Sequence, residues 1–195
     1  MNLFGLAYVL VGAIARVFWR LRVVGSEHVP RAGGLIVACN HVSNFDPPIL
    51  GVSLPRPVWY MAKKELFAIP GLGWLIAHLN AFPVDRQAGG TAALRASLRL
   101  IKEGKCVGLF PEGGRNVEGE KETKAGAAFL AAASGAPVVP AAIVGTRRLR
   151  LFHRVTVVFG LPLRIERNRQ SDGDDLEKGA AEIMQRIHEL EESIG

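Results

Sequence analysis

The sequence predicts an α/β fold: a single domain with a largely parallel mixed sheet flanked by helices, preceded by an N-terminal membrane-interacting helix. Three observations carry this expectation. Short runs apolar at every position, with Leu35-Ile-Val-Ala-Cys39 the clearest, have the pattern of strands buried on both faces. Segments with apolar residues at helical spacing lie between such runs, so strands and helices alternate, as they do in parallel sheets crossed by helices. Finally, residues 1–15 carry no charged side chain and are followed at once by Arg16, Arg20 and Arg22.

A chain of 195 residues suffices for one well-packed domain and is short for two. With 49% apolar and 22% charged residues, no low-complexity segment and no internal repeat, it has the composition of a folded protein over most of its length. The 24 Lys and Arg against 18 Asp and Glu give a net charge of +6, which favours anionic partners: phosphorylated substrates, acidic proteins, anionic lipid or nucleic acid. Charge alone does not choose among them. Cys39 and Cys106 both lie in apolar strand-like runs without C-x-x-C spacing, which reads as two buried reduced thiols and neither a disulfide framework nor a metal site.

Taken in order, the first segment as a helix would reach roughly 22 Å, short of the roughly 30 Å hydrocarbon core of a bilayer. Phe18 and Trp19 lie among the arginines that follow, a composition suited to headgroup level, so residues 1–22 read as an interfacial helix and residues 23–195 as the folded domain. A core helix and a signal peptide are the rivals, and a signal peptide should have a basic start. Strands are expected at Leu35 to Cys39, Val58 to Met61, Cys106 to Phe110 and Val155 to Phe159, with Val138 to Val144 a strand interrupted by Pro140. Helices are expected at Gly71 to Leu79, Thr91 to Glu103, Thr123 to Ser134 and Asp174 to Ile194, the last with Leu176, Ala180, Ile183, Ile187, Leu190 and Ile194 on one side. Gly71-x-Gly73 follows no strand and lacks a third glycine, so it is no dinucleotide fingerprint.

The chemistry-bearing stretch is Asn40-His-Val-Ser-Asn-Phe-Asp46, which begins where the first buried strand ends. Ligands of open α/β sheets bind beyond the carboxyl ends of the strands. His41 there can take a proton from a hydroxyl if a second group holds its ring, and Asp46 is the nearest candidate. Two plainer readings stand beside these: His41 as a hydrogen-bonded loop histidine, and Asp46 as a helix cap before Pro47 and Pro48. A second site follows at Pro111-Glu-Gly-Gly-Arg-Asn116, where paired glycines let backbone approach a ligand and Arg115 offers a planar fork for phosphate oxygens. The plainer reading there is a Pro-Gly turn with an exposed arginine. Arg147-Arg-Leu-Arg-Leu-Phe-His-Arg154 is a solvated basic face, or a surface for an anionic membrane or an acidic carrier.

Together, Asn40-His41-x-x-x-x-Asp46, Phe82-Pro-Val-Asp-Arg86, Phe110-Pro-Glu-Gly-Gly-Arg115 and Val138-Val-Pro140, in this order, resemble the four motif blocks of the glycerolipid acyltransferases. The 1-acyl-sn-glycerol-3-phosphate (lysophosphatidate) acyltransferase family is the nearest match. Val24-Gly25, Pro30, Lys124-x-Gly126 and Gly145-Thr146 also sit where that family places similar residues, so the resemblance spans about residues 20 to 160. Three positions depart from it. Gly114 and Asn116 stand where the family's third block usually has Thr and Ser, and Asn80 where a glycine is common; Asn tolerates positive φ.

The resemblance implies a glycerol-3-phosphate acyltransferase-like fold, an acyltransferase domain over residues 23–195, and transfer of an acyl group from a thioester to lysophosphatidate, giving phosphatidate in phospholipid biosynthesis. His41 would be the general base and Asp46 its partner, while Arg86, Glu112, Gly113, Gly114, Arg115 and Lys124 would bind the acceptor. The donor would be acyl-CoA or acyl-carrier protein as co-substrate, with no further cofactor, no metal and no nucleic-acid partner. The place of work would be the cytoplasmic face of the cell membrane, held peripherally or monotopically. No Gly-x-Ser-x-Gly elbow and no catalytic-looking Cys is present, so direct transfer is expected over an acyl-enzyme, for which Ser43 is a poorly supported nucleophile. The alternatives are another glycerol-phosphate or lysolipid acceptor, or a non-catalytic protein that binds anionic lipid.

Overall fold

The structure, a computed structural model, describes residues 3–84, 90–116, 124–148, 150–165 and 173–194. Its centre is β2 (Leu35–Cys39), buried at all five positions because both faces are covered. Leu35, Val37 and Cys39 point into one apolar layer, and Ile36 and Ala38 into the other. This alternation places helix α1 (Leu3–Phe18) and helix α2 (Asp46–Ser53) on one side of the sheet. Helices α5 (Thr91–Lys102), α6 (Gly126–Ser134) and α7 (Gly173–Glu192) cover the other.

Seven strands form one sheet among the described residues. Besides β2 they are β1 (Arg22–Val24), β3 (Val58–Lys63), β4 (Ala81–Val84), β5 (Cys106–Leu109), β6 (Val138–Val144) and β7 (Thr156–Phe159), in the order β1-β7-β6-β2-β5-β3-β4. Every pairing is parallel except β6 with β7. The α/β class read from the alternation of elements therefore holds. Two strands carried no expectation: β1, three residues long, and β4, which forms the sheet edge. Short helices α3 (Lys64–Phe67) and α4 (Leu72–His78) connect β3 to β4.

Two expected elements are corrected. Pro140 does not interrupt β6, because its nitrogen faces the side where residues 160–162 leave the ladder between the Val138–Leu163 bridge and the Ala141–Phe159 pair. No donor is needed there, and the Pro140 carbonyl still accepts from the Gly160 N–H at 2.8 Å. Helix α6 begins at Gly126, not Thr123, which lies outside the described residues; the Lys124 N–H is used instead to bond the Pro111 carbonyl at 2.8 Å. Asn80 does adopt φ 60°, the left-handed conformation expected to be within reach of an asparagine at this turn.

Helix α1 is docked onto the domain. Ala15 is buried, and the Tyr8 hydroxyl lies against the Gly51 carbonyl and 2.9 Å from that of Leu54 at the end of α2. Burial pushes this phenol up to about 12, so it remains a donor. No helix among the described residues is long and apolar enough to cross a membrane.

Gly108 of β5 illustrates how tightly the sheet is covered near its carboxyl edge. A Cβ there would lie 2.4 Å from Tyr60 Cε1 and 2.7 Å from Cδ1, so the ring occupies the space a side chain would need. Gly108→Ala should therefore destabilise the fold by about 1–3 kcal/mol, read from the denaturant midpoint, with Tyr60→Leu in the same background recovering part of the loss.

Candidate active site

The strand β2 delivers Asn40 and His41 to the carboxyl edge of the sheet, and the chain then turns sharply into α2. Pro47 and Pro48 occupy the first turn of that helix, where their missing N–H groups are not needed. They offer Asp46 no amide, and the Ile49 N–H is taken by the Phe45 carbonyl at 3.0 Å. The Asp46 carboxylate turns back instead: Oδ2 accepts from His41 Nδ1 at 2.9 Å, from the Val42 N–H at 2.8 Å and from the Ser43 N–H at 2.6 Å. Oδ1 accepts from the Thr146 hydroxyl at 2.6 Å. The capping reading of Asp46 is thus corrected, since none of its bonds reaches an amide of its own helix.

Asp46 is 0% exposed, so these four donors supply all the hydrogen bonding it has lost from water. An ionised carboxylate only accepts, and this assigns the imidazole proton to Nδ1. Nε2 is left with its lone pair and has no hydrogen-bond partner among the described residues. The ring is stacked on Phe110, 4.3 Å between centroids, which holds its plane. Phe110 in turn stacks on Tyr60 at 6.5 Å.

Glu112 locks the other side of the loop. Its Oε2 accepts the His41 N–H at 2.8 Å and its Oε1 faces Asn116 Nδ2 at 3.4 Å, while the Asn116 N–H bonds the His41 carbonyl at 2.7 Å. Burial raises the Glu112 carboxyl above its ordinary value, partly offset by the His41 amide and by Asn116. In this structure Glu112 therefore steadies the backbone of His41.

The residue before His41 is equally held. Asn40 Oδ1 accepts the Ile143 N–H at 2.8 Å, and its Nδ2 donates to the Ile143 carbonyl at 3.0 Å and to Glu191 Oε1 at 2.5 Å. These bonds tie β2 to β6 and to the end of α7. Burial also raises the Glu191 carboxyl, with His188 acting in the opposite direction. Sequence reading did not single out Glu191, and it placed Phe110 and Thr146 only by resemblance, with no role for either.

A cleft of about 240 Å³ opens beside His41, bounded by Met61, Val84, Gly90, Ala93, Gly108, Leu109, Phe110, Gly113, Gly114 and Lys124. Gly113 has φ 65°, and a Cβ there would meet Lys124 Cδ and Cε at 2.8 Å, so only glycine allows the lysine stem to lie over this turn. The structure thus brings His41, Gly113, Gly114 and Lys124 to one wall. Arg115 is exposed and does not line the cleft, and Arg86 lies outside the described residues. A wider depression of about 550 Å³ is formed by α7 alone and includes none of these residues. Among the described residues no group of three or more His, Cys, Asp or Glu side chains is arranged to hold a metal. Both cysteines are free and buried, and their thiols are pushed up by burial, far from nucleophilic character.

The protein-family model described as Acyltransferase matches residues 20–144, which covers all of this site up to β6. The chain is 36% identical over 184 residues to the 1-acyl-sn-glycerol-3-phosphate acyltransferase of Bacillus subtilis, spanning 89% of each protein. The chain belongs to the 1-acyl-sn-glycerol-3-phosphate acyltransferase family. The family's enzyme of Streptococcus pneumoniae is 28% identical over 162 residues, 80% of this chain and 60% of that one. The crystal structure of the 1-acyl-sn-glycerophosphate acyltransferase PlsC from Thermotoga maritima superposes with a TM-score of 0.74 at 30% identity, covering 96% of this chain and 79% of that chain.

Two tests follow from the bonding at this acyltransferase site. Thr146→Val keeps the shape but removes one donor to a buried carboxylate, and should cost about 1–3 kcal/mol in urea denaturation, with Thr146→Ser restoring most of it. The second concerns pH. Glu112 and Glu191 both have folded-state values raised above the unfolded 4.5, so each contributes stability that is full below that value and is lost as pH rises through the raised one. Glu191→Gln removes one such group, and its Tm relative to wild type should rise as pH is taken upward from 4.5. A pH-independent Tm difference would refute this.

Proposed function

We propose that this protein transfers a fatty acyl group from acyl-CoA or acyl-carrier protein to the free hydroxyl of lysophosphatidate, giving phosphatidate, with His41 as general base. The observation that carries the reading is the His41–Asp46 pair: Nδ1 is committed to a buried carboxylate, and Nε2 is unoccupied on a residue that lines the cleft. An acyl thioester is already activated, so catalysis needs chiefly to position a hydroxyl and remove its proton. Nε2 takes that proton as the hydroxyl oxygen attacks the carbonyl carbon. The tetrahedral intermediate then collapses, the C–S bond breaks, and the proton passes from Nε2 to the departing thiolate. Asp46 supports the imidazolium throughout.

Lys124, at the cleft wall, and Arg86 and Arg115, from the neighbouring motif blocks, would grip the acceptor phosphate, with Gly113 and Gly114 allowing close approach. Residues 3–14 of α1 would lie at the acyl boundary of the cytoplasmic face of a membrane, with Arg16, Arg20 and Arg22 at the phosphates. A long-chain acceptor could then present its headgroup to the cleft while its tail stays out of water, where exposure costs about 0.8 kcal/mol per CH₂.

His41→Ala should lower kcat by about 10²- to 10⁴-fold with acceptor binding nearly unchanged and, because it also removes one donor to the buried Asp46, a Tm loss comparable to that of Thr146→Val; Asp46→Asn should be severely impaired. Half of wild-type kcat in His41→Ala would remove the base assignment. Arg86→Ala and Arg115→Ala should each raise acceptor KM by roughly one to two powers of ten, with donor KM little changed and lysine rescuing only partly. Assay against lysophosphatidate, glycerol 3-phosphate and other lysolipids, with one acyl-CoA and one acyl-carrier protein, identifies both substrates.

A further inference from the structure

Residues 147–148 and 150–154 of the basic segment lie between β6 and β7, and because β6 runs parallel to β2 and β7 antiparallel to β6 they stand at the same sheet edge as His41. They do not stand free of the rest of the protein. The Phe152 N–H bonds the Phe18 carbonyl at 2.6 Å, the Val155 N–H bonds that of Trp19 at 2.9 Å, and the Phe18 and Phe152 rings lie 6.3 Å apart. The loop is thereby fastened to the last turn of α1. Trp19 meets Phe45 of the His41 loop at 5.8 Å.

Around this junction the apolar side chains face outward. Leu151 is 63% exposed, Phe152 60% and Val17 61%, with Phe18 and Phe45 also exposed. Phe152 holds φ 62°, a left-handed conformation that bulky residues rarely adopt, yet its ring makes no buried core contact that would require it. The same two segments carry the exposed cations Arg16, Arg20, Arg147, Arg148, Arg150 and Arg154. Protruding apolar tips in segments rich in arginine match the acyl boundary and the phosphate layer of an anionic bilayer, and the apolar residues cluster at the end of α1, the helix read as membrane-facing.

We propose that residues 150–154, between β6 and β7, form a membrane-inserting element that acts with the end of α1 as one footprint, seating the His41 edge of the sheet directly on an anionic bilayer. This rests on the lipid-acceptor reading above and deepens it, because it assigns a surface outside the N-terminal helix and fixes which edge of the domain faces the lipid. Thr146, which bonds Asp46, also lies between β6 and β7, so the surface that meets lipid and the donor that holds the base's carboxylate share one short segment.

The test is a Leu151→Ser/Phe152→Asn variant of the full chain; asparagine accepts the positive φ, and the backbone bond to Phe18 is kept. Binding is measured by co-sedimentation with phosphatidylcholine vesicles with and without phosphatidylglycerol. The expected result is at least about a tenfold weaker partition onto the anionic vesicles, in line with two large apolar side chains no longer inserting. Tm and turnover of a short, water-soluble acceptor should be unchanged, and turnover of a long-chain acceptor should fall. Wild-type protein that binds vesicles together with a variant that binds them equally well overturns this proposal and leaves the lipid-acceptor reading standing. Wild-type protein that ignores vesicles and still turns over long-chain acceptor overturns both. Equal loss of short- and long-chain turnover in the variant would make the loop a support for Asp46 only. An Arg148→Glu/Arg150→Glu variant that loses transfer from acyl-carrier protein while binding vesicles normally would assign the patch to the carrier, which also overturns the proposal.

Discussion

The buried carboxylate of Asp46 is the constraint on which the rest of this site depends. A carboxylate fully removed from water and left unpaired would cost several kcal/mol, so the loop from Asn40 to Asp46 is stable only in the shape that brings donors to it. Two of those donors are the loop's own amides and one is the His41 ring; the fourth arrives from Thr146, beyond the end of β6. The same network that orients the base therefore closes the loop and pins it to a neighbouring strand. Pro47 and Pro48 contribute by omission, since they offer no amides to draw the carboxylate toward its own helix.

Around this centre the protein uses paired supports and not a single one. Asn40 joins β2 to β6 and α7 through both ends of its amide, and Glu112 holds the His41 N–H from the turn after β5. Phe110 stacks on the imidazole and restricts its plane. A base placed this way loses little freedom when substrate arrives, which is the condition under which general-base catalysis is effective. The carboxylates of Glu112 and Glu191, both raised by burial, flank the loop and tie its stability to pH.

The antiparallel β7 has a consequence for the whole molecule. Because it runs opposite to β6 and β1 pairs parallel to it, the start of β1, and with it the end of α1, comes to the carboxyl edge of the sheet. An N-terminal helix that would otherwise be remote from the chemistry is thus brought beside the loop that carries Phe45 and His41. Tyr8 and Ala15 keep it docked there.

Much of this was legible in the residues themselves. Leu35 to Cys39, apolar at every position, implies burial on both faces whatever the fold, and the spacing in Thr91 to Lys102 and in α7 implies amphipathic helices. The proximity of His41 to Asp46 follows from five residues of separation and a turn-forming sequence. Local pattern ends there. β1 and β4 are three and four residues long, too short for a periodicity, and Pro140 reads as a break until its nitrogen is seen to face a gap in the ladder. Thr146 lies 100 residues from Asp46, and Glu191 lies 151 from Asn40, so neither contact leaves a trace in spacing. The sequence by itself determined most of the longer strands and helices and that a histidine and a carboxylate meet where a buried strand ends, because burial and short-range geometry are local properties. Only the tertiary structure decided which partners complete the Asp46 network and which exposed apolar side chains share an edge with it, because those depend on the order and direction in which distant strands pair.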